Sequence, residues 1–202
     1  MTEQRRASVE RTTAETTIAL ELTVDGTGHT SIETGIGALD HFLTLFARHG
    51  RFDLTVRARG DLHVDAHHTV EDVAICLGQA LRRALGDWRG LRRMGDAAVP
   101  MDEALAHIAI DLSGRGIFIH RDPFPAGAVG QLECDLVRHF LETVAREARI
   151  TIHVVKLYGQ NAHHQIEAVF KALARALDLA TELDPRIAGQ VPSTKEHLEI
   201  ES

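Results

Sequence analysis

Two stretches of the chain carry the same unusual pattern: "DAHHTVEDVA" at residues 65–74 and "NAHHQIEAVF" at residues 161–170. Each holds paired histidines with a glutamate three residues after the second one. At about 100° per helical residue, His67 and Glu71 share one face, as do His163 and Glu167, while His68 and His164 point about 100° away. An imidazole and a carboxylate stacked at i,i+4 suit a divalent cation, and the adjacent histidines would serve two different ions. Asp65 and Asn161 stand where an N-cap belongs, so each helix is expected to begin at the chemistry.

A second histidine pattern accompanies the first. "LDHFLTLFARHG" matches "VRHFLETVAREA" at an offset of 98, which sets His41 on His139 and Leu39, Phe42, Leu43 and Phe46 on Val137, Phe140, Leu141 and Val144. Further on the offset is 96, and Val70, Val73, Leu77 and Leu81 fall on Ile166, Val169, Leu173 and Leu177. These are two repeated helical stripes. Six histidines (His41, His67, His68, His139, His163, His164) and two glutamates (Glu71, Glu167) then form two equal ligand sets. The reading places His41, His67, Glu71 and His164 on one ion and His139, His163, Glu167 and His68 on the other. Three imidazoles and a carboxylate leave open positions on an octahedral ion such as Mn²⁺ or Fe²⁺. Without thiolates a closed structural zinc site is disfavoured. By helical phase His41, His68 and His139 face away from their own apolar stripes. Their ions are therefore expected in a groove or at the subunit boundaries of a symmetric oligomer.

The elements that must position these residues also repeat. "RFDLTVRARGDLHV" corresponds to "RITIHVVKL", with two extra residues in the first copy, and "TIALELTVDGTGHTSIETG" to "LAHIAIDLSGRGIFIH", each a pair of alternating runs around a Gly-containing turn. Each half reads as strand, strand, helix, strand or strands, helix. The seam falls near residues 89–100, giving half-repeats at 9–92 and 93–190 and a tail at 191–202. Residues 1–8 and about 198–202 look frayed.

Composition sets the limits. With 202 residues, 44% hydrophobic and 25% charged, the chain can bury a real core. No apolar run reaches the roughly 18 residues of a membrane span, and "MTEQRRASVE" lacks the apolar middle of a signal peptide, so the cytoplasm is the expected location and no membrane partner is expected. A formal net charge of -7 argues against a nucleic-acid partner. Cys76 and Cys134 show no CxxC spacing and read as buried thiols. Arg93 in "LRRMG", Arg115 in "DLSGRG", and Ser193 and Lys195 in "VPSTKEHLE" place forked donors, a point charge and a hydroxyl beside turns, which suits a small phosphate. No Walker-type sequence is present, so a nucleotide is not indicated.

From "RTTAETTIALEL" through the two histidine-pair motifs, "PMDEALAHIAIDLSGRG" and "YGQNAHHQIEAVFKALARAL" to "VPSTKEHLE", the chain resembles the imidazoleglycerol-phosphate dehydratase family over nearly its whole length. The resemblance implies an α/β (α+β) fold of internally duplicated half-domains, each a four-stranded sheet with two helices. It is of the ribosomal-protein-S5-domain-2-like kind, with the helices packed between the sheets. It further implies a lyase of histidine biosynthesis acting in homo-oligomers of 24 subunits, with two Mn²⁺ per active site at subunit interfaces. The eight ligand candidates fall on the family's metal positions, and Glu15, the stretch from His41 to His49, Arg93, Arg115, Ser193 and Lys195 fall on its substrate-contacting positions. Two departures are visible: Gly116 where Pro is common, which bears on loop geometry, and Glu196 where Gly is common, which would weaken phosphate affinity by repulsion.

The reaction expected from that resemblance dehydrates D-erythro-imidazoleglycerol phosphate to imidazole-acetol phosphate. The ring, held between two ions as imidazolate, pushes out the neighbouring hydroxyl to give a diazafulvene. Glu167, Glu71 or Glu15 then takes the proton from the next carbon. Two other readings use the same histidines. A dinuclear hydrolase would release inorganic phosphate, and a metal-storing or metal-sensing oligomer would leave the Arg93, Arg115 and Ser193 group without a purpose.

Overall fold

Alternation in "TTIALELT" puts Ile18, Leu20 and Leu22 on one face of strand β2 (Thr16–Thr23) and Thr17, Ala19 and Glu21 on the other, and the first set is buried. The computed structural model describes residues 4–194. β2 pairs antiparallel with β1 (Arg6–Thr12) on one side and with β4 (Asp53–Gly60) on the other. β3 (Thr30–Glu33) runs parallel to β4, so the first sheet has the order β1-β2-β4-β3. The second sheet repeats it with β5 (Met94–Met101), β6 (Ala104–Asp111), β10 (Thr151–Tyr158) and β7 (Ile117–His120) in the order β5-β6-β10-β7.

Four helices fill the space between the sheets: α1 (Gly37–Gly50), α2 (His67–Leu85), α3 (Cys134–Ala148) and α4 (Ala162–Thr181). The fold is thus two α/β half-domains with helices sandwiched between two four-stranded sheets. α2 lies on β1 and β2, α4 lies on β5 and β6, and two helix pairs cross the halves, α1 on α4 and α3 on α2. The α2/α3 crossing is close because Gly78 offers no side chain. A Cβ there would come within 2.6 Å of Glu147 Cβ and 3.0 Å of the Val144 carbonyl oxygen. In the core Phe42 of α1 stacks on Phe170 of α4 at 5.2 Å between ring centroids, and Phe140 of α3 meets the same ring at 5.8 Å.

The duplication reaches the helix ends. α1 stops at Arg51 and α3 at Arg149, which occupy the left-handed region at φ 58° and 59° and return their N–H groups to the last turn. Both cysteines are free and buried, as read from the sequence.

Several readings need correcting. β2 and β3, the two alternating runs on either side of the Gly-containing turn, are not neighbours, because β4 lies between them; α1 connects β3 to β4 as a βαβ unit, and such a parallel pairing leaves no local sequence signature. Residues 6–8 are not frayed: they pair in β1 with Thr23, Leu22 and Glu21. The two extra residues of the first copy lie after β4, since β4 and β10 are both 8 residues long. The second half in turn carries an addition between β7 and α3, the small hairpin β8 (Ala128–Val129) and β9 (Leu132–Glu133).

Candidate metal centre

α1 brings His41 to the N-terminal turns of α4, where His163 and Glu167 stand one turn apart. His41 Nε2 lies 3.2 Å and His163 Nε2 3.1 Å from Glu167 Oε2, and the two imidazole centroids are 5.2 Å apart. The arrangement is repeated with His67 and Glu71 of α2 and His139 of α3. His139 Nε2 is 3.3 Å from Glu71 Oε1, and the His67 and His139 centroids are 5.0 Å apart. In each trio the ligand atoms lie within 4.8 Å of one another.

The trios correct the sequence partition. His41 joins His163 and Glu167, not His67 and Glu71, and His139 joins His67 and Glu71, not His163 and Glu167. The helical wheel told which way each imidazole points along its own helix, but which helix faces it was decided by packing. The stripe of α1 docks on α4, and that of α3 on α2, so every trio draws one ligand from one half and two from the other.

The helix starts are built for this. The Asn161 Oδ1 accepts the N–H groups of His163 and His164 at 2.8 and 3.4 Å, as an N-cap should. Asp65 performs the same task one residue ahead of the cap position, which Ala66 occupies, and accepts the His67 N–H at 2.7 Å.

Glu167 is buried, and burial resists its ionisation. Lys171, with Nζ 2.5 Å from Oε1, together with His41 and His163 outweighs that effect and brings the carboxyl down to about 2. Lys171 was not singled out from the sequence; its spacing of four from Glu167 was the available signal. On the other side His139 Nε2 is buried with no hydrogen-bond partner among the described residues, although Glu71 stands close by. An orphaned imidazole nitrogen aimed at a carboxylate, with a second imidazole alongside, is a donor set that fits a divalent cation.

His68 and His164 belong to neither trio. His68 Nδ1 is held by Asp61 at 3.1 Å, and His164 Nδ1 by Glu103 at 2.6 Å; these hydrogen bonds, first among the causes, raise both imidazole pKa values. Glu15, in the β1–β2 turn, lies 3.7 Å from His68 Nδ1 with its side chain 53% exposed. That turn is anchored by Asp72 of α2, a buried carboxylate that accepts from the Thr16 hydroxyl and, at 2.8 Å, from Arg11 Nε.

The phosphate candidates gather elsewhere. Arg93 precedes β5, donates to both Asp111 oxygens at 2.7 and 3.2 Å, and holds the Pro192 carbonyl at 2.7 Å, which brings Ser193 to the same place. Arg115 sits in the β6–β7 turn just beyond Asp111. Gly116 allows that turn its close approach to α3, since a Cβ would stand 2.6 Å from Arg146 Cα, and the departure from Pro thus has a geometric reason. His49 lies at the end of α1 in a cavity of about 690 Å³ with Arg48, Arg51, Asp96 and Arg175; burial first, then Lys171 and Arg175, lowers its pKa. Lys195 and Glu196 lie outside the described residues. Arg93 binds at the Asp111 end of β6, while His164 meets Glu103 just before its Ala104 end. Eight residues of strand, roughly 25 Å, separate them.

Two matched clusters of imidazole and carboxylate on a duplicated α/β fold define a candidate metal-dependent enzyme. The family model described as imidazoleglycerol-phosphate dehydratase matches residues 34–177. Relatives of that name from Chloroflexus aggregans and Roseiflexus sp. are 57% and 58% identical to the chain, covering 96% and 95% of it and 95% and 96% of their own lengths. The crystal structure of the Staphylococcus aureus dehydratase matches with a TM-score of 0.80 at 35% identity, covering 88% of this chain and 99% of that one. That of the Pyrococcus furiosus protein, in complex with (S)-C348, matches with a TM-score of 0.81 at 37% identity, covering 94% and 100%. The chain belongs to the imidazoleglycerol-phosphate dehydratase family. It is accordingly an enzyme, a dehydratase of histidine biosynthesis from a metal-dependent family.

Proposed function

We propose that the chain converts D-erythro-imidazoleglycerol phosphate to imidazole-acetol phosphate in the cytoplasm, with two Mn²⁺ per active site, in a homo-oligomer of 24 subunits whose sites lie at subunit interfaces. The observation that carries the reading is the matched pair of trios, one of which contains the orphaned His139 Nε2. His41, His163 and Glu167 would hold one ion and His67, Glu71 and His139 the other, with His68 and His164 serving ions of neighbouring subunits. When bound, the ions supply Lewis acidity that lowers the pKa of the substrate's ring N–H, so that the ring's own electrons can expel the adjacent hydroxyl.

The chain's residues handle the rest. Of the three carboxylates in reach of this role, Glu167 is fixed by Lys171, His41 and His163, and Glu71 stands in a trio with His139 and His67. Glu15 is exposed on a turn, which favours it as the base. Loss of hydroxide and of that proton leaves an enol, which tautomerises to the ketone. Arg115, Ser193 and Lys195 would hold the phosphate with Arg93, three of whose five N–H donors are engaged within the chain. The distance of Arg93 along β6 from the His164 end supports a substrate that bridges two subunits, with remote binding energy orienting the diol.

The test is an assay of metal-stripped protein for imidazole-acetol phosphate, with and without added Mn²⁺, with particle mass followed in parallel. Turnover and a large particle that depend on Mn²⁺ are expected. Metal uptake without turnover, release of inorganic phosphate, or a monomer holding its full metal complement would overturn the reading.

A further inference from the structure

The repeat makes Glu15 and Glu103 counterparts, yet the two carboxylates are used differently. An offset of 88 residues superposes β2 on β6, Thr13 and Thr16 on Met101 and Ala104, and Glu15 on Glu103 at the same place in the turn. Glu103 is fully engaged. One oxygen accepts the N–H groups of Gln160 and Asn161 at 3.2 and 2.8 Å, and the other accepts from His164 Nδ1 at 2.6 Å. Glu15 faces the equivalent histidine, His68, from 3.7 Å, which is beyond hydrogen-bond reach.

Its place at His68 Nδ1 is taken by Asp61, at 3.1 and 3.2 Å. Asp61 opens the connection after β4, which is two residues longer to the histidine pair than the one after β10, and that shorter connection, Gly159 to Ala162, carries no carboxylate. That longer connection closes on itself, with the Val64 N–H bonded to the Asp61 carbonyl at 2.7 Å, and is tied to the β1–β2 turn by the Asp61 N–H on the Glu15 carbonyl at 3.2 Å. The aspartate side chain is 18% exposed, against 53% for Glu15.

We propose that Asp61 is the positioning residue that fixes His68 for a metal ion and thereby releases Glu15 to face the substrate, while Glu103 keeps for His164 the orienting role that Glu15 has given up. The inference rests on the metal-dependent reading above and deepens it. A carboxylate at Nδ1 keeps the ring proton there and leaves the Nε2 lone pair for an ion, the arrangement commonly found behind metal-binding histidines. At His164 the Asp102 carboxylate stands 3.7 Å from Nε2, outside hydrogen-bond reach. The short connection of the second half supplies no equivalent of Asp61, so Glu103 cannot leave its histidine. One duplicated turn has in this way yielded a tethered glutamate and a free one.

The experiment compares Asp61→Ala, Asp61→Glu, Glu103→Gln and Glu15→Gln in the full chain. Mn²⁺ affinity is measured by titration calorimetry on metal-stripped protein, and kcat and KM at saturating Mn²⁺. Asp61→Ala and Glu103→Gln should weaken Mn²⁺ binding about 10- to 100-fold. Asp61→Glu should recover most of the loss. Glu15→Gln should keep the wild-type affinity and lose kcat. In Asp61→Ala kcat should stay low even when Mn²⁺ is saturating, because Glu15 can close on His68 as Glu103 does on His164. Wild-type affinity in Asp61→Ala, or a loss of affinity in Glu15→Gln as large as in Asp61→Ala, would overturn the inference. A wild-type kcat in Glu15→Gln would refute the base assignment instead, and a native chain that binds no Mn²⁺ would remove both. Particle mass and circular dichroism on each variant show whether a loss comes from misfolding, and Asp61→Glu carries the test if Asp61→Ala fails to fold.

Discussion

His41 Nε2 and Glu167 Oε2 lie 3.2 Å apart, although the first belongs to a helix of one half of the chain and the second to a helix of the other. Each trio is therefore a product of the packing between halves. Neither half alone holds a complete set.

Replacing Glu167 with Gln should remove the charge that stabilises the half-buried Lys171 ammonium and one ligand of its trio. A loss of about 3 kcal/mol is expected in urea unfolding followed by the fluorescence of Trp88, the single and buried tryptophan. Turnover should fall at least about 100-fold. Near-native stability together with near-native turnover would show that the carboxylate is not part of a working site.

Phe170 joins the two halves behind the trios, touching Phe42 and Phe140. Phe170→Ala should cost about 3–5 kcal/mol in the same unfolding assay. Because α1 loses its stacking partner, the Mn²⁺ affinity of the His41 trio should also fall. A stability change under about 1 kcal/mol would mean that the seam collapses to fill the space.

Arg115→Ala separates substrate binding from folding. Its turn holds through the Ser113 hydroxyl and backbone contacts, so stability should change by less than about 0.5 kcal/mol. KM for the phosphorylated substrate should rise about tenfold or more with Mn²⁺ affinity unchanged. An unaltered KM would remove Arg115 from the phosphate site.

Burial pushes the Cys76 thiol up to about 11. At pH 8 the native thiolate is then about one part in a thousand, and a disulfide reagent should label Cys76 only on unfolding. The sign of the linked effect follows: the neutral thiol favours the fold, so its contribution is intact below the ordinary value of 9.0 and is lost as the pH rises toward about 11. Over that range wild type should lose stability relative to Cys76→Ala. Rapid labelling of folded protein at pH 8 would count against a closed core at that position.

Much of the site was legible before any coordinates. The two histidine-pair motifs, the matched His41 and His139 helices, and the phase that turns His68 and His164 away from the trios all follow from a 3.6-residue period and a repeat. The first strand of each half was harder to see. "RASVERT" exposes most of its side chains on an edge strand, and "MGDAAVPM" holds Gly and Pro, so neither shows a clean alternation. Lys171 escaped notice because a lone lysine on a helix reads as a solvated charge until its partner is found buried beside it.

The sequence by itself determined which side chains are available and which of them share a helical face, since that depends only on residue type and local period. It also determined that the chain is doubled, because a repeat is a property of order along the chain. Only the tertiary structure decided that His41 meets Glu167 and not Glu71, that Asp61 takes the place at His68 its repeat would give to Glu15, and that Arg93 stands at the far end of β6 from His164. Those outcomes depend on which apolar faces bury against each other and on how long each connecting loop is, and both are contests between distant parts of the chain that no local pattern records.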